Sequence, residues 1–433
     1  MNPMTHQDNL QYISGLQRFG IRLGLAPVHR LLERLGHPQR NFRSILVGGT
    51  NGKGSICAMT SSMLIHHGHR VGLYTSPHLI DLGERIRVDG RVIQNDEMDS
   101  CIDAVRREVK EGITYFEFVT ALAFLHFSRQ GVDVAVVEVG MGGRLDATNV
   151  LHPDVSVISN VSLEHREHLG KRLVDIAREK GGIIKDNGIC ITAASQERVL
   201  DVLEGICRDR KARLWRIGRD FKIRRHGNNT FSYRGITKNY RQLACPFAGS
   251  HQVANAGVAL GIMEAMALCG LAVDDGAVAR GLSEARWPGR LEVLGQAPML
   301  LVDGAHNPAG ASALCRALKE EFTYDRLVLV FGVLDDKDSR SMLRKLLPLA
   351  DRVILTKPNA ERAKPPEMLL PLALQWHDRI ELARTSDEAL QLALSGTRAH
   401  DLICVTGSLY LVGEVSQAVS SGLSGLKEGA NDA

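Results

Sequence analysis

The chain has 433 residues, 44% hydrophobic and 24% charged, and its 53 basic and 49 acidic residues leave a formal net charge of +4. That length exceeds one compact core and implies two or three domains, while the composition excludes wholesale disorder. Charges of both signs scattered along the chain give no case for nucleic acid or an anionic membrane as the main partner.

The first twenty residues lack the continuous apolar core of a signal peptide. Segments 12–20 and 27–36 repeat apolar residues at three- and four-residue spacing, and each ends in a Gly suited to a helix stop. A short apolar strand over 43–49 is followed by a Gly-rich loop and a helix over 55–68. Strand, loop and helix in that order is the setting a phosphate loop requires. Residues 69–77 read as the next strand, and 78–93 as a long loop with a hairpin turn at Asp89–Gly90. Thr114 and Glu117 form a capping box that opens a strongly apolar helix over 114–131; a catalytic part for Glu117 is compatible with that cap. Residues 132–140 and 153–161 are continuous apolar runs, as in buried parallel strands. Residues 214–247 alternate and turn like antiparallel strands added to that sheet.

Past 286–298 the rhythm changes. Strand-like runs at 299–306, 326–333, 351–358, 379–385 and 402–408 alternate with helical stretches, which predicts a second doubly wound α/β unit. The expectation is an α/β protein with two domains, 1–292 and 293–433, hinged near 290–297 around a cleft. The small, polar stretch 420–433 is expected to fray. No stretch approaches the roughly 20 apolar residues of a membrane span. The eight cysteines lie far apart with no C-x-x-C pair, which indicates neither a zinc site nor a disulfide framework and fits a reducing cytoplasm.

The loop Val47–Ser55 differs from the usual phosphate loop. Three residues, Gly49, Thr50 and Asn51, separate Gly48 from the Gly52–Lys53 pair, and Gly54 separates Lys53 from Ser55. Gly49, Gly52 and Gly54 let the backbone approach anionic oxygens, Lys53 can neutralise phosphate charge, and Ser55 can offer its hydroxyl to Mg²⁺. A ligand-free Gly-rich turn is the plainer reading, but Lys, Ser and the strand–helix setting together favour phosphate. Glu138 ends an apolar strand, where an ionised carboxylate needs a partner or a metal; the polar, Gly-rich run 140–149 follows it. His165 is a candidate metal ligand that Glu164 could position, with His168 an exposed residue, though spacing alone leaves this open. Lys180 is weak alone, since helix lysines usually face solvent. Asp303, His306 and Asn307 lie just past one strand of the second unit, and Ser408 just past another. Arg290 sits beside the hinge as either a linker charge or a phosphate clamp.

Together the motifs GTNGKGS, YTSPHL, EVGMGGRLDATN, AREKGGI, GSHQVANAGVA, WPGRLEV, DGAHNP and TGSLYL resemble the folylpolyglutamate synthase/dihydrofolate synthase family, a branch of the Mur-type amide ligases. The likeness covers essentially the whole chain. It implies an N-terminal P-loop ATPase domain with a mostly parallel sheet plus a small antiparallel sheet, and a C-terminal Rossmann-like domain, closing around the reactants. The implied reaction uses ATP to turn a carboxylate into an acyl phosphate, which the amine of L-glutamate attacks. The carboxylate is that of dihydropteroate, of a reduced folate, or of both in a bifunctional enzyme. By motif match, Gly49, Thr50, Asn51, Gly52, Lys53, Gly54 and Ser55 would hold the phosphates, with Asn255, Arg290 and Asp303 as further nucleotide contacts. Ser55, Glu138 and His165 would bind Mg²⁺, and Lys180 matches a lysine commonly carbamylated in the family. His306 and Ser408 would meet glutamate, and Ser76 and His78 the pterin-bearing substrate. Lys53, Lys180 and His306 are the catalytic candidates. Cofactors would be ATP and one or two Mg²⁺, with a monovalent cation as a further candidate, and the enzyme is expected to be a monomer. Glu164 stands where the family usually has Asp, and Gly181 where it usually has Ala; neither change removes a ligand. A monofunctional ligase, a peptidoglycan Mur ligase and a nucleotide switch are the alternatives, the last disfavoured by DGAHNP and TGSLY.

Overall fold

The computed structural model describes residues 5–422 except Ile21, Leu23, Glu111 and Asn228. The expected fraying of 420–433 therefore lies, from residue 423 onward, outside the described residues. Contacts group the chain into two units, one made of residues up to 78, 82–246 and 252–286, the other of 79–81, 247–251 and 287 onward.

The first unit carries β1 (Arg43–Gly48), β2 (Val71–Tyr74), β3 (Ile86–Val88), β4 (Arg91–Val92), β5 (Val134–Glu138), β6 (Val155–Ile158), β7 (Ile189–Thr192) and β8 (Arg213–Arg216). They form one sheet in the order β4-β3-β2-β5-β1-β6-β7-β8, parallel from β2 to β8. The central strands are buried along their whole length, which is why they read as unbroken apolar runs. At one edge β3 and β4 form the expected hairpin, with Asp89 at φ 50° and Gly90 at φ 77°, as a two-residue turn of the primed type needs. The helix Tyr115–Arg129 starts on the predicted box. The Thr114 hydroxyl accepts from Glu117 N at 3.3 Å, and Thr114 N and Oγ1 donate to Glu117 Oε2 at 2.8 and 2.7 Å.

Strands β9 (Lys222–Arg225), β10 (Thr230–Arg234) and β11 (Asn239–Ala244) depart from the reading that placed 214–247 on the large sheet. Only β8 joins that sheet, parallel to β7; β9–β11 form a separate antiparallel sheet in the order β11-β10-β9. The physical reason is packing against the helix Ser250–Leu268. A Cβ at Gly257 would stand 2.6 Å from Ile223 Cγ2, and one at Gly261 3.6 Å from Phe221. The missing side chain at Gly257 lets the little sheet close on that helix instead of extending the edge of β8, while Phe221 would be at ordinary contact distance from a Cβ at Gly261.

The second unit holds β12 (Glu292–Gln296), β13 (Met299–Asp303), β14 (Leu327–Phe331), β15 (Arg352–Leu355), β16 (Ile380–Leu382) and β17 (Leu402–Thr406), ordered β12-β13-β17-β14-β15-β16. All neighbours are parallel except β12 with β13. Each of the five predicted strands is present. The antiparallel β12 falls in the stretch read as a hinge.

Candidate active site

In the first unit, register brings the motifs to one edge. Val47 of β1 pairs with Glu138, the last residue of β5, and Gly48 pairs with Ile158, the last of β6. The loop after β1, Thr75–Ser76 after β2, 139–149 after β5 and Ser159–His165 after β6 therefore leave the sheet side by side, at the end where ligands bind in open parallel sheets.

The loop is clamped from β6. Thr50 N donates to Asn160 O at 2.9 Å and Asn51 N to Asn160 Oδ1 at 3.0 Å, while Ser159 Oγ and Asn160 Nδ2 donate to Asn51 O. Gly49 (φ 129°) and Gly52 (φ 85°) occupy backbone conformations that L side chains rarely adopt. A Cβ on Gly52 would lie 2.5 Å from Asn255 Oδ1. The helix Lys53–His66 begins here with no side-chain cap, unlike Pro308–Glu320 and Leu409–Ser420, which Asn307 and Ser408 cap. Its first-turn amides thus present a positive helix end to the loop.

Three charged side chains converge on that end. Lys53 Nζ donates to Thr50 O at 3.1 Å and stands 3.9 Å from Glu138 Oε1. Glu138 is 5% exposed, and its Oε2 accepts from Ser76 N at 3.2 Å. Lys180, only 1% exposed, donates through Nζ to Gly49 O at 2.9 Å and to Glu164 Oε1 at 2.7 Å. Burial pulls the Lys180 ammonium below the usual lysine range against the opposing pull of Glu164. Burial pushes Glu164 up, but the charges of Lys180 and Lys53 and the Lys180 hydrogen bond outweigh it and bring the carboxyl down to about 2. His165 adopts φ 43°, a left-handed backbone that costs energy for a non-Gly residue, and His168 is exposed as expected.

The segment 139–149 is held by Asp146. Its carboxylate accepts from Met141 N at 2.8 Å, Thr148 N at 3.0 Å and Thr148 Oγ1 at 2.6 Å, and burial nevertheless pushes its carboxyl up. Gly143 lies so close to the carbonyls of Glu179 and Lys180 that a Cβ would be 2.8 and 2.9 Å from them. This segment thereby fixes the helix that delivers Lys180. Beside it, Arg85 Nε donates to His78 Nδ1 at 3.0 Å and its guanidinium lies 5.3 Å from the Tyr115 ring centre.

Among the described residues no three His, Cys, Asp or Glu are grouped to hold a metal by themselves. Glu138 nevertheless fits a nucleotide-bound Mg²⁺, which is held by one or two carboxylates and completes its shell with phosphate oxygens and water, and Ser55 is buried in the first turn of the helix that Lys53 opens. Buried Glu138, beside the positive helix end and Lys53, is the anionic donor such a cation needs.

In the second unit Asp303 ends β13 opposite Thr406 of β17. Asp303 accepts from Leu291 N at 3.1 Å and Ala305 N at 3.0 Å. Burial pushes its carboxyl up, against the charges of Arg290 and His251. A Cβ on Gly304 would be 2.5 Å from Arg290 Nη1, so the guanidinium lies across this turn. His306 Nδ1 donates to Gly304 O at 2.8 Å, and Ser408 Oγ accepts from Tyr410 N at 3.2 Å. Arg290, Asp303, His306 and Ser408 thus share one sheet edge, with Ser408 also serving its own helix. Sequence reasoning assigned no part to Asp146 and His251, although they lie inside the motifs EVGMGGRLDATN and GSHQVANAGVA, nor to Ser159 and Asn160, which directly follow the end of β6.

This architecture, with its loop, is that of the Mur ligases: the Mur ligase middle domain matches residues 47–263, and the Mur ligase glutamate ligase domain residues 289–409. The chain is 37% identical to a probable bifunctional folylpolyglutamate synthase/dihydropteroate synthase of Halobacterium salinarum, over 95% of this chain and 51% of that one. It therefore spans about half the length of such relatives. It is 32% identical to the dihydrofolate synthase/folylpolyglutamate synthase of Bacillus subtilis, over 95% of this chain and 98% of that one. The crystal structure of a bifunctional folylpolyglutamate synthase/dihydrofolate synthase from Yersinia pestis, complexed with AMPPNP and Mn ion, superposes with a TM-score of 0.86 at 28% identity, covering 96% of this chain and 98% of that one. The chain belongs to the folylpolyglutamate synthase/dihydrofolate synthase family.

Proposed function

We propose that the protein is an ATP-dependent ligase that adds L-glutamate to dihydropteroate and to the glutamate tail of reduced folates. The observation that carries this reading is the uncapped helix start at Lys53, ringed by Lys53, Glu138 and Lys180. Such a site binds and orients a nucleoside triphosphate rather than attacking anything itself. The family's relative with bound AMPPNP and Mn supports a nucleotide and a divalent cation here.

In this reading a substrate carboxylate oxygen attacks the γ-phosphorus, and the bond to the bridging oxygen breaks to release ADP. The glutamate amine then attacks the carbonyl carbon of the acyl phosphate, losing a proton as phosphate departs. Lys53 and the first-turn amides hold the transferring phosphoryl group. Asn255 lines the loop beside Gly52, and Arg290 and Asp303 add nucleotide contacts. Ser55, Glu138 and His165 would hold Mg²⁺, which when bound spreads the charge of the phosphate oxygens. Ser76 and His78 meet the pteroate side, and His306 and Ser408 meet glutamate.

Lys180 becomes a carbamate in the loaded enzyme. Its lowered basicity favours the free amine that CO₂ requires, and the resulting anion suits a site already charged with metal and Lys53. The protein works in the cytoplasm as a monomer. ADP release that requires both glutamate and a pteroate tests the ligase reading; equal release without either acceptor excludes it.

A further inference from the structure

The 23 residues Lys222–Ala244 hold six basic residues and no acidic one, in a chain whose whole excess is +4. The charges are therefore not evenly scattered, and the small sheet turns four of the six to one side. In the register of β9 with β10, Ile223 opposes Tyr233 and Arg225 opposes Phe231, while Lys222 opposes Arg234 and Arg224 opposes Ser232. Phe231 and Tyr233 are buried, so alternation sends Lys222, Arg224 and Arg234 outward. On β11 Tyr240 opposes Tyr233, which turns Arg241 outward too. All four are exposed. Lys238 is paired with Asp275 at 2.9 Å, but among the described residues none of these four has an ion-pair partner.

Cations on β9 and β11 could serve only to protect sheet edges. That does not explain Arg234, which lies on the central strand directly opposite Lys222, a like-charge pairing that destabilises a sheet. A bound anion would offset that cost. The four charges span three strands, about 10 Å, and two rungs, about 7 Å, the footprint of a short oligoanion. The rings of Phe231, Tyr233 and Tyr240 point to the other face, which leaves the exposed His226 imidazole, bonded to Ser232 Oγ, as the ring at the charged face and gives successive nucleobases no row of rings to stack on. Guanidinium forks pair well with carboxylates.

We propose that the outer face of β9–β11 binds an extended polycarboxylate, the oligo-γ-glutamyl tail of the folate product. This rests on the ligase reading above. The test titrates the full-length protein with pterin-free penta-γ-glutamate at low and moderate salt. Binding should weaken with salt and fall about tenfold in Arg224→Gln/Arg234→Gln, with ADP formation on a monoglutamyl substrate unchanged. Arg241→Glu alone gives an independent second reading if the double variant melts early. Absence of saturable peptide binding, equal binding by the wild type and the variants, or tighter sheet-dependent binding of a single-stranded oligonucleotide of matched charge would overturn the proposal. Failure of the ligase reading is distinguishable, because the wild type would then form no ADP with glutamate and a pteroate.

Discussion

Lys180 changes meaning most between the chain and the fold. As one lysine in a helix it was weak alone and stood out only through the match of its motif AREKGGI; folded, it is 1% exposed and bonded to the backbone of the phosphate loop. Nothing in its local sequence encodes that, because the contact to Gly49 spans 131 positions. Lys53 and Glu138 were legible, since their signals are local: a Gly-rich turn and the end of an apolar strand. We predict that Lys53→Ala lowers ADP formation at least about 100-fold, by removing charge compensation at the transferring phosphoryl group, with no change in melting temperature. Normal turnover with normal ATP affinity would refute that assignment. For Lys180, intact-protein mass spectrometry in bicarbonate with Mg²⁺ and nucleotide should show the added mass of one CO₂, absent in Lys180→Arg; an unmodified amine in active, metal-loaded protein would refute the carbamate. Glu164 sets a pH dependence. Its carboxyl is more acidic in the folded protein, about 2 against an ordinary 4.5, so its contribution to stability is present above pH 4.5 and is lost as pH falls through that window. Glu164→Gln should therefore be less stable than wild type near neutral pH, with the gap narrowing in acid melts; a gap constant with pH would contradict the ion pair.

At the level of elements, local chemistry was read well where it closes on itself. The Thr114–Glu117 box formed as predicted because both partners lie within one helical turn. Thr114→Ala should cost about 1 kcal/mol in denaturant unfolding, with Thr114→Ser largely restoring it; no loss would show the cap to be idle. The small sheet was misplaced because alternation identifies strands but not the sheet they join. What decided it was Gly257 on a helix further along the chain, where any side chain would run into Ile223. Likewise β12 was hidden in a stretch rich in Gly and Pro that resembles a linker. The loop itself depends on a similar long-range fit. Gly52→Ala would drive a methyl into Asn255 at φ 85°, so weaker ATP binding than wild type is expected by calorimetry, and unchanged affinity would show that the loop tolerates strain.

For the whole molecule, composition alone bounded the class but concealed the charge distribution. A net charge of +4 looked neutral, yet one sheet carries six cations and no acids. Each unit places its motif residues at the carboxyl ends of its parallel strands, where doubly wound sheets bind ligands. This placement follows from the strand–loop–helix rhythm visible in the sequence. The choice of substrate does not, because it depends on side-chain packing that no spacing rule encodes. The decisive measurement is ADP formation by the purified protein with ATP, Mg²⁺ and L-glutamate, offered dihydropteroate and tetrahydrofolate in separate reactions. We expect release with both substrates and none when either glutamate or the pteroate is omitted; ADP appearing at the same rate without an acceptor would rule out the ligase.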